Sequence, residues 1–114
     1  MKKNWLVIGN TRTDVRVDVT ETARERMCGL LGRADMRVDE ALLITCCWSV
    51  HTFGMRFPID VVFVDRRDRV LSVHAAVRRG RVRMNPRAVK TLEMAAGAAC
   101  QYGIAAGMPL RWEP

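Results

Sequence analysis

The hydrophobic positions of this chain recur mainly at the two-residue spacing that is typical of β-strands. Over Asp14 to Val19, Val15 and Val17 alternate with charged residues, which predicts a half-buried strand. A short apolar run over Asn4 to Gly9 precedes it, and a polar turn separates the two. The first two elements are therefore expected to form a β-hairpin.

Further strands are predicted where apolar runs end at turn signals. The run from Ile59 to Val64 is broken only by Asp60, and it predicts a strand that is buried on both faces. A charged turn leads to a return strand over Val70 to Val77, so these two are expected to form a second hairpin. The remaining strands are predicted at Ala41 to Trp48, Ala88 to Met94 and Met108 to Trp112.

Two helices are predicted. The first covers about residues 20–32, with Thr20 as its N-cap and Gly32 at its end. The second is short, lies within residues 95–103 and consists mostly of small residues. The buried face of the first helix is expected to contain Ala23, Met27, Leu30 and Leu31.

Length and composition indicate one soluble domain over residues 1–114. The chain is 49% hydrophobic and 27% charged, which is ordinary for a globular protein. The amino terminus has only a short apolar run, so no secretory leader is expected, and no stretch is long enough to span a bilayer. We expect a compact cytoplasmic α+β domain with a mainly antiparallel, twisted or barrel-like sheet.

The four cysteines show neither the C-x-x-C spacing of a metal site nor the density of a disulfide scaffold. We expect Cys28, Cys46, Cys47 and Cys100 to be free, buried thiols. A zinc site that combines Cys46 or Cys47 with Cys28, Cys100 or His51 is the weaker alternative. No cofactor and no metal are predicted.

The chain is basic, with a formal net charge of +7. Its densest cationic run, from Val77 to Arg87, contains no aromatic residue on which a base could stack. The first interpretation is a solvated loop. The alternative is a loop that contacts phosphate or an acidic partner, or that binds nucleic acid weakly and nonspecifically. The arginines of this run are Arg78, Arg79, Arg81, Arg83 and Arg87.

Two carboxylates fall in predicted buried strands, where desolvation makes an unpaired charge costly. Asp60 lies in the most apolar strand, and Arg56 and His51 are its nearest candidate partners in sequence. Glu93 lies in a strand near the carboxyl terminus and is expected to pair with an arginine.

Three stretches resemble a known family: RERMCGLLGR at 24–33, HTFGMRFPIDVVFVD at 51–65 and TLEMAAGAACQYGIAAGMPL at 91–110. Together they resemble the small prokaryotic proteins of domain of unknown function 192. The resemblance implies a compact, mainly antiparallel α+β domain, and the family brings no established activity, cofactor or substrate. Its motif positions fall on Arg26, Gly29, Leu30, Met55, Asp60, Leu92, Glu93 and Gly97.

The chain departs from that family in two places. Where many relatives read aromatic-Trp-Met-Lys-Asn, this chain has Thr52 to Arg56, and where many close the last motif with Gly-Asp, it has Gly107 and Met108. Many relatives also carry a secretory leader or lipid anchor, which this amino terminus does not show.

These observations lead to three hypotheses. The first is a noncatalytic accessory module, centred on residues 48–60, that binds a small anionic ligand or a protein partner. The second is a small enzyme that uses Asp60 or Glu93 with His51 as acid and base. The third is contact with nucleic acid or an acidic partner through Arg78 to Arg87. The candidate polar network, expected to be a site or a structural anchor, is Arg26, Trp48, His51, Met55, Arg56, Asp60 and Glu93.

Overall fold

One curled sheet of seven strands forms most of the structure, a computed structural model that describes all 114 residues. The elements are β1 (Lys2–Ile8), β2 (Thr11–Val19), α1 (Ala23–Cys28), β3 (Glu40–Thr45), β4 (Ser49–His51), β5 (Ile59–Val64), β6 (Val70–Val77), β7 (Val82–Met84), β8 (Lys90–Ala95), α2 (Ala98–Gln101) and β9 (Leu110–Glu113). The sheet order is β6-β5-β8-β3-β2-β1-β9, and β4 with β7 forms a separate two-stranded sheet. Only the β2/β3 pair is parallel.

The large sheet curls until its two edges approach each other. Arg69, just before β6, forms a β-bridge with Pro109, just before β9. Beside that bridge, the N–H of Leu110 donates to the carbonyl of Asp68 at 2.8 Å. The result is a barrel-like sheet joined along part of one seam, which confirms the predicted α+β fold.

Two hydrophobic cores lie on opposite faces of the large sheet, and β5 separates them. Val62 packs inside the curl with Leu92 of β8 and with α2. Val61 and Phe63 point to the outer face, where they pack with Val50 of β4. Because both faces are covered, all six residues of β5 are buried, as the continuous apolar run predicts.

The predicted strands are found, with shifts at several ends. The strands predicted at Ile59 to Val64 and Val70 to Val77 have those bounds in the structure, and β1 pairs with β2 as the predicted hairpin. The strand predicted to reach Trp48 ends at Thr45. Cys46 adopts a φ of 53° there, which turns the chain out of the sheet.

Helix α1 is shorter than predicted because stronger signals lie inside the predicted range. Its N-cap is Thr22, not Thr20: the hydroxyl of Thr22 accepts the N–H of Glu25, and the Glu25 carboxylate accepts the N–H of Thr22, each at 3.1 Å. This reciprocal pair is a capping box. The helix ends at Gly29, whose φ is 50°, rather than at Gly32.

The prediction of a buried helix face was wrong, because none of the residues within α1 is buried. Of the four predicted residues, only Leu30 is buried, and it follows the helix. The short helix α2 does fall within the predicted range of 95–103. No helix is both long enough and apolar enough to cross a membrane.

The cysteines are free, as predicted, but the prediction that they are buried was wrong. Cys28, Cys46 and Cys100 are exposed, and Cys47 is half-buried. Cys28 lies at the end of a helix without a buried face, and Cys46 lies in a turn, so neither occupies a core position.

Candidate functional site

A cavity of about 290 Å³ opens between the end of α1 and strand β4. The cavity exists because α1 and the residues after it stand over the outer face of β3 and β8 without packing tightly on it. Its wall is mostly apolar. The turn at Gly29 brings α1 to this face, where a Cβ at residue 29 would lie 3.9 Å from both Leu42 Cδ2 and Glu93 Oε1. The lining residues are Arg26, Met27, Cys28, Gly29, Leu30, Leu31, Ile44, Cys47, Ser49, Val50, His51, Met55 and Glu93.

Glu93 is the buried charged group of this cavity. The residue is 5% exposed, and burial raises the pKa of its carboxyl from 4.5 to about 7, with no neighbouring charge or hydrogen bond among the causes. The expected ion pair with an arginine is absent, because no cation lies within 4.0 Å of the carboxylate. Near neutral pH the group can therefore donate a hydrogen bond as an acid or accept one as a carboxylate.

The rim of the cavity combines exposed apolar side chains with two basic residues. Met27 is 79% exposed, and Leu31 is also exposed. His51 points outward from β4, and its ring lies against that of Phe53 with centroids 5.6 Å apart. Arg26 is the only arginine or lysine of the lining. A ligand that enters here contacts exposed apolar side chains at the rim before it reaches the buried carboxyl of Glu93.

Asp60 is satisfied in a way that the sequence did not suggest. It is fully buried, and its two carboxylate oxygens accept the backbone N–H groups of Ala76 at 2.8 Å and Ala99 at 2.9 Å. The expected partners, Arg56 and His51, make neither hydrogen bond. Ala76 has a φ of 49° and lies with Ala75 opposite Asp60, where the β5/β6 register shifts because β6 has one extra residue. Asp60 thus fixes a distorted strand edge to the start of α2.

The predicted single network of two carboxylates and two arginines does not form. In the β5/β8 register Val61 lies opposite Glu93, and Asp60 lies opposite Met94. Because side chains alternate along strands, Asp60 faces the inside of the curl and Glu93 faces the outside. The two carboxylates are therefore separated by the sheet itself.

The candidate residues divide among several places. Arg26, His51, Met55 and Glu93 line the cavity. Arg56 lines a second, shallower hollow with Arg78 and Arg79. Trp48 lies just before β4, half exposed, and lines neither space.

The basic run is more ordered than the predicted loop. Val82 to Met84 forms β7 and pairs with β4 over three residues, a strand too short for periodicity to reveal. Arg83 is half-buried, and its charge contributes to lowering the pKa of His74, after the larger effect of burial. Arg78, Arg79, Arg81 and Arg87 are exposed.

The cavity holds polar groups that sequence reasoning did not assign to it. Cys28 and Cys47 line its wall, and the Cys47 thiol donates to the carbonyl of Ser49 at 3.3 Å. No group of three His, Cys, Asp or Glu side chains is placed to hold a metal ion. Cys28 could have been assigned to the candidate site from sequence, because it lies next to Gly29 and two residues from Arg26. No neighbouring motif residue marks Cys47 in this way.

Comparisons with known proteins agree with this fold. The model of domain of unknown function 192, described as "Uncharacterized ACR", matches residues 6–112. A proposed transcription regulator from Sinorhizobium meliloti 1021 superposes with a TM-score of 0.87 at 17% identity, covering 97% of this chain and 94% of that one. A protein of unknown function from Novosphingobium aromaticivorans DSM 12444 gives 0.80 at 19% identity, covering 95% and 84%. These two likenesses establish the fold alone, and no curated protein matches.

Proposed function

Because this chain belongs to the family of domain of unknown function 192, whose description names no activity, we propose a function from its cavity. The protein is a noncatalytic binding module that takes a small, mainly apolar ligand, or an apolar side chain of a partner, between α1 and β4. The ligand carries a neutral hydrogen-bonding group that meets the carboxyl of Glu93.

One observation carries this proposal: a carboxyl that is almost fully buried, lacks a partner within the protein and opens into a mostly apolar space. The carboxyl oxygens make no hydrogen bond within the protein yet remain accessible from the cavity, so a ligand can reach them. A hydrogen bond supplied there contributes roughly 0.5–1.5 kcal/mol. Apolar walls with a few polar groups are the usual composition of a ligand site, and about 290 Å³ suits a small ligand.

The geometry favours a neutral ligand group over the anionic ligand expected from sequence. Arg26 is the only arginine in the lining, and Arg56 lies in a different hollow. An anionic group near Glu93 would oppose ionisation of its carboxyl, so an anion fits only at the rim beside Arg26. The paired arginine fork suggested by the sequence is not available in this cavity.

The enzyme alternative retains only Glu93 with His51 as acid and base. Asp60 is excluded because it lies on the other face of the sheet and accepts two backbone N–H groups. Glu93 and His51 line one cavity, and a pKa of about 7 suits an acid or base. However, His51 stacks on Phe53, and the Cys47 thiol donates to a carbonyl rather than to His51. No activated nucleophile results, which supports binding rather than catalysis.

The test compares three probes that share an isobutyl-type group: isobutyramide, isobutyrate and isobutylamine. Each is titrated into ¹⁵N-labelled protein while backbone amide resonances are followed by NMR. We expect isobutyramide to shift the resonances of residues 26–31 and 49–51 saturably and more strongly than isobutyrate or isobutylamine. Shifts by none of the probes, or shifts scattered away from these residues, would overturn the proposal.

Two cysteine variants provide a matched control. Cys28→Trp places a large side chain in the cavity wall, whereas Cys100→Trp changes an exposed cysteine on α2 that lines no cavity. We expect the first variant to abolish the isobutyramide shifts and the second to preserve them. Equal behaviour of the two variants would place the ligand elsewhere.

A further inference from the structure

Two exposed aromatic side chains lie beside the basic run in the folded protein, although the run itself contains none. Trp48 is 50% exposed and Phe53 is 55% exposed. The carbonyl of Trp48 accepts the N–H of Asn85 at 2.9 Å, and Cε1 of Phe53 lies 4.0 Å from the position that a Cβ at residue 80 would occupy. Pairing of β4 with β7 thus supplies aromatic surfaces at both ends of the arginine-rich segment.

The surface formed by these two segments is uniformly positive. Residues 48–59 and 76–89 contain six arginines and not one aspartate or glutamate. None of the six forms an ion pair with a carboxylate. Arg56, Arg78 and Arg79 converge on a hollow of about 370 Å³ whose floor includes Phe57 and Pro58. The guanidinium groups of Arg56, Arg78 and Arg79 are therefore free to bind an external anion.

The backbone holds this surface in one conformation. Thr52 is buried, and its hydroxyl donates to the carbonyl of Arg78 at 2.7 Å and accepts the N–H of Arg81 at 2.8 Å. Its own N–H donates to the carbonyl of Arg81 at 2.8 Å. One buried threonine therefore ties the arginine loop to the segment that presents Phe53.

We propose that this surface binds single-stranded nucleic acid, with the arginines on phosphates and with Trp48 and Phe53 stacked on bases. A positive track with exposed aromatic rings is the arrangement that binds single strands with little sequence preference. Phosphate contact alone would need only the arginines. The two exposed rings favour a ligand that presents unstacked planar bases over an acidic peptide or a duplex.

The experiment is fluorescence anisotropy with a labelled oligothymidylate of about 16 nucleotides, a length within the range that single-strand sites cover. We expect Trp48→Leu to weaken binding by about tenfold or more, because leucine is apolar but cannot stack. Trp48→Phe, which retains a ring, should recover most of that loss. An equal loss in the two variants would overturn the stacking role.

The arginines are tested against a variant of equal net charge. Arg79→Ala with Arg81→Ala removes two cations from the proposed surface, and Arg24→Ala with Arg111→Ala removes two exposed, unpaired cations elsewhere. Only the first pair should reduce the slope of log K against log salt, by about 1.4. Equal slopes in the two double variants would show attraction by net charge alone and overturn the proposed surface.

Two further outcomes separate this surface from other ligands and from the cavity. If polyglutamate or duplex DNA of equal charge binds as tightly as oligothymidylate, the surface accepts any polyanion and the proposal fails. Cys28→Trp, which blocks the cavity, should leave oligothymidylate binding unchanged. Loss of binding in that variant would show that the oligonucleotide needs the cavity rather than the arginines and the two aromatic rings, and would overturn the proposal.

Discussion

The carboxyl of Glu93 makes the stability of this protein depend on pH near neutrality. Burial raises its pKa from 4.5 to about 7 in the folded state, so the folded protein retains a proton that the unfolded chain releases. The contribution of Glu93 to stability is fully present below about pH 4.5 and is lost as pH rises through about 7, by about 3 kcal/mol in all. Ionised Glu93 is thus the destabilising form.

Replacing Glu93 by glutamine removes that pH dependence while keeping the size of the side chain. We expect Glu93→Gln to gain stability relative to wild type as pH rises from about 5 to about 8, measured by urea unfolding at each pH. The control variant is Glu113→Gln, at a partly exposed position at the end of β9. Its stability should depend on pH as that of the wild type does. A constant difference between wild type and Glu93→Gln across this pH range would show that residue 93 does not titrate there.

At the residue scale, the sequence identified the unusual groups but not their partners. Both buried carboxylates were recognisable, because a charge within an apolar strand is rare. The partners of Asp60 are backbone amides of Ala76 and Ala99, and a backbone N–H is present at every residue except proline. The sequence therefore cannot show which two backbone amides the fold places beside the carboxylate of Asp60.

At the scale of elements, α1 depends on its cap because it buries no residue of its own. We expect Thr22→Ala to destabilise the protein by about 1 kcal/mol and to speed amide hydrogen exchange over residues 23–29. Thr22→Ser keeps the hydroxyl and should retain slow exchange. If exchange of this segment is unchanged in Thr22→Ala, the capping box does not hold the cavity wall.

Elements with long apolar runs could be predicted, and short or exposed ones could not. β5 matches its predicted bounds because all six of its residues are buried, which imposes a continuous apolar run. β6 also matches, although only Val70 and Val77 are buried, because charged turn residues bound its apolar run. β4 and β7 have three residues each, too few for a period of two to stand out. Helix α1 was predicted too long because Leu30 and Leu31 continue its apolar spacing after Gly29 has ended it.

At the scale of the whole molecule, β5 joins two cores into one cooperative unit. Val61 and Val62 are both fully buried but belong to opposite cores. We expect Val61→Ala and Val62→Ala each to lower the free energy of unfolding by about 2 kcal/mol. In both variants, tryptophan fluorescence and circular dichroism should report a single coincident urea transition. Two separate transitions in either variant would show that the cores unfold independently.

The mainly antiparallel α+β fold could be predicted, whereas the cavity could not. Hairpins predict antiparallel neighbours, and alternating patterns predict strands that bury one face. The cavity depends on how far α1 stands from the sheet, and no local pattern encodes that distance. A residue such as Cys47 enters the site only through the turn that Cys46 introduces after β3.

The sheet order also affects how the protein folds during synthesis. β5 pairs with β6, which follows it directly, but its other neighbour is β8, and β8 also separates β5 from β3. Asp60 further requires the N–H of Ala99. A nascent chain that has emerged only through β7 therefore carries β3 and the most apolar strand of the protein with unpaired edges. The strand that joins β5 to β3 therefore emerges only after β4, β6 and β7.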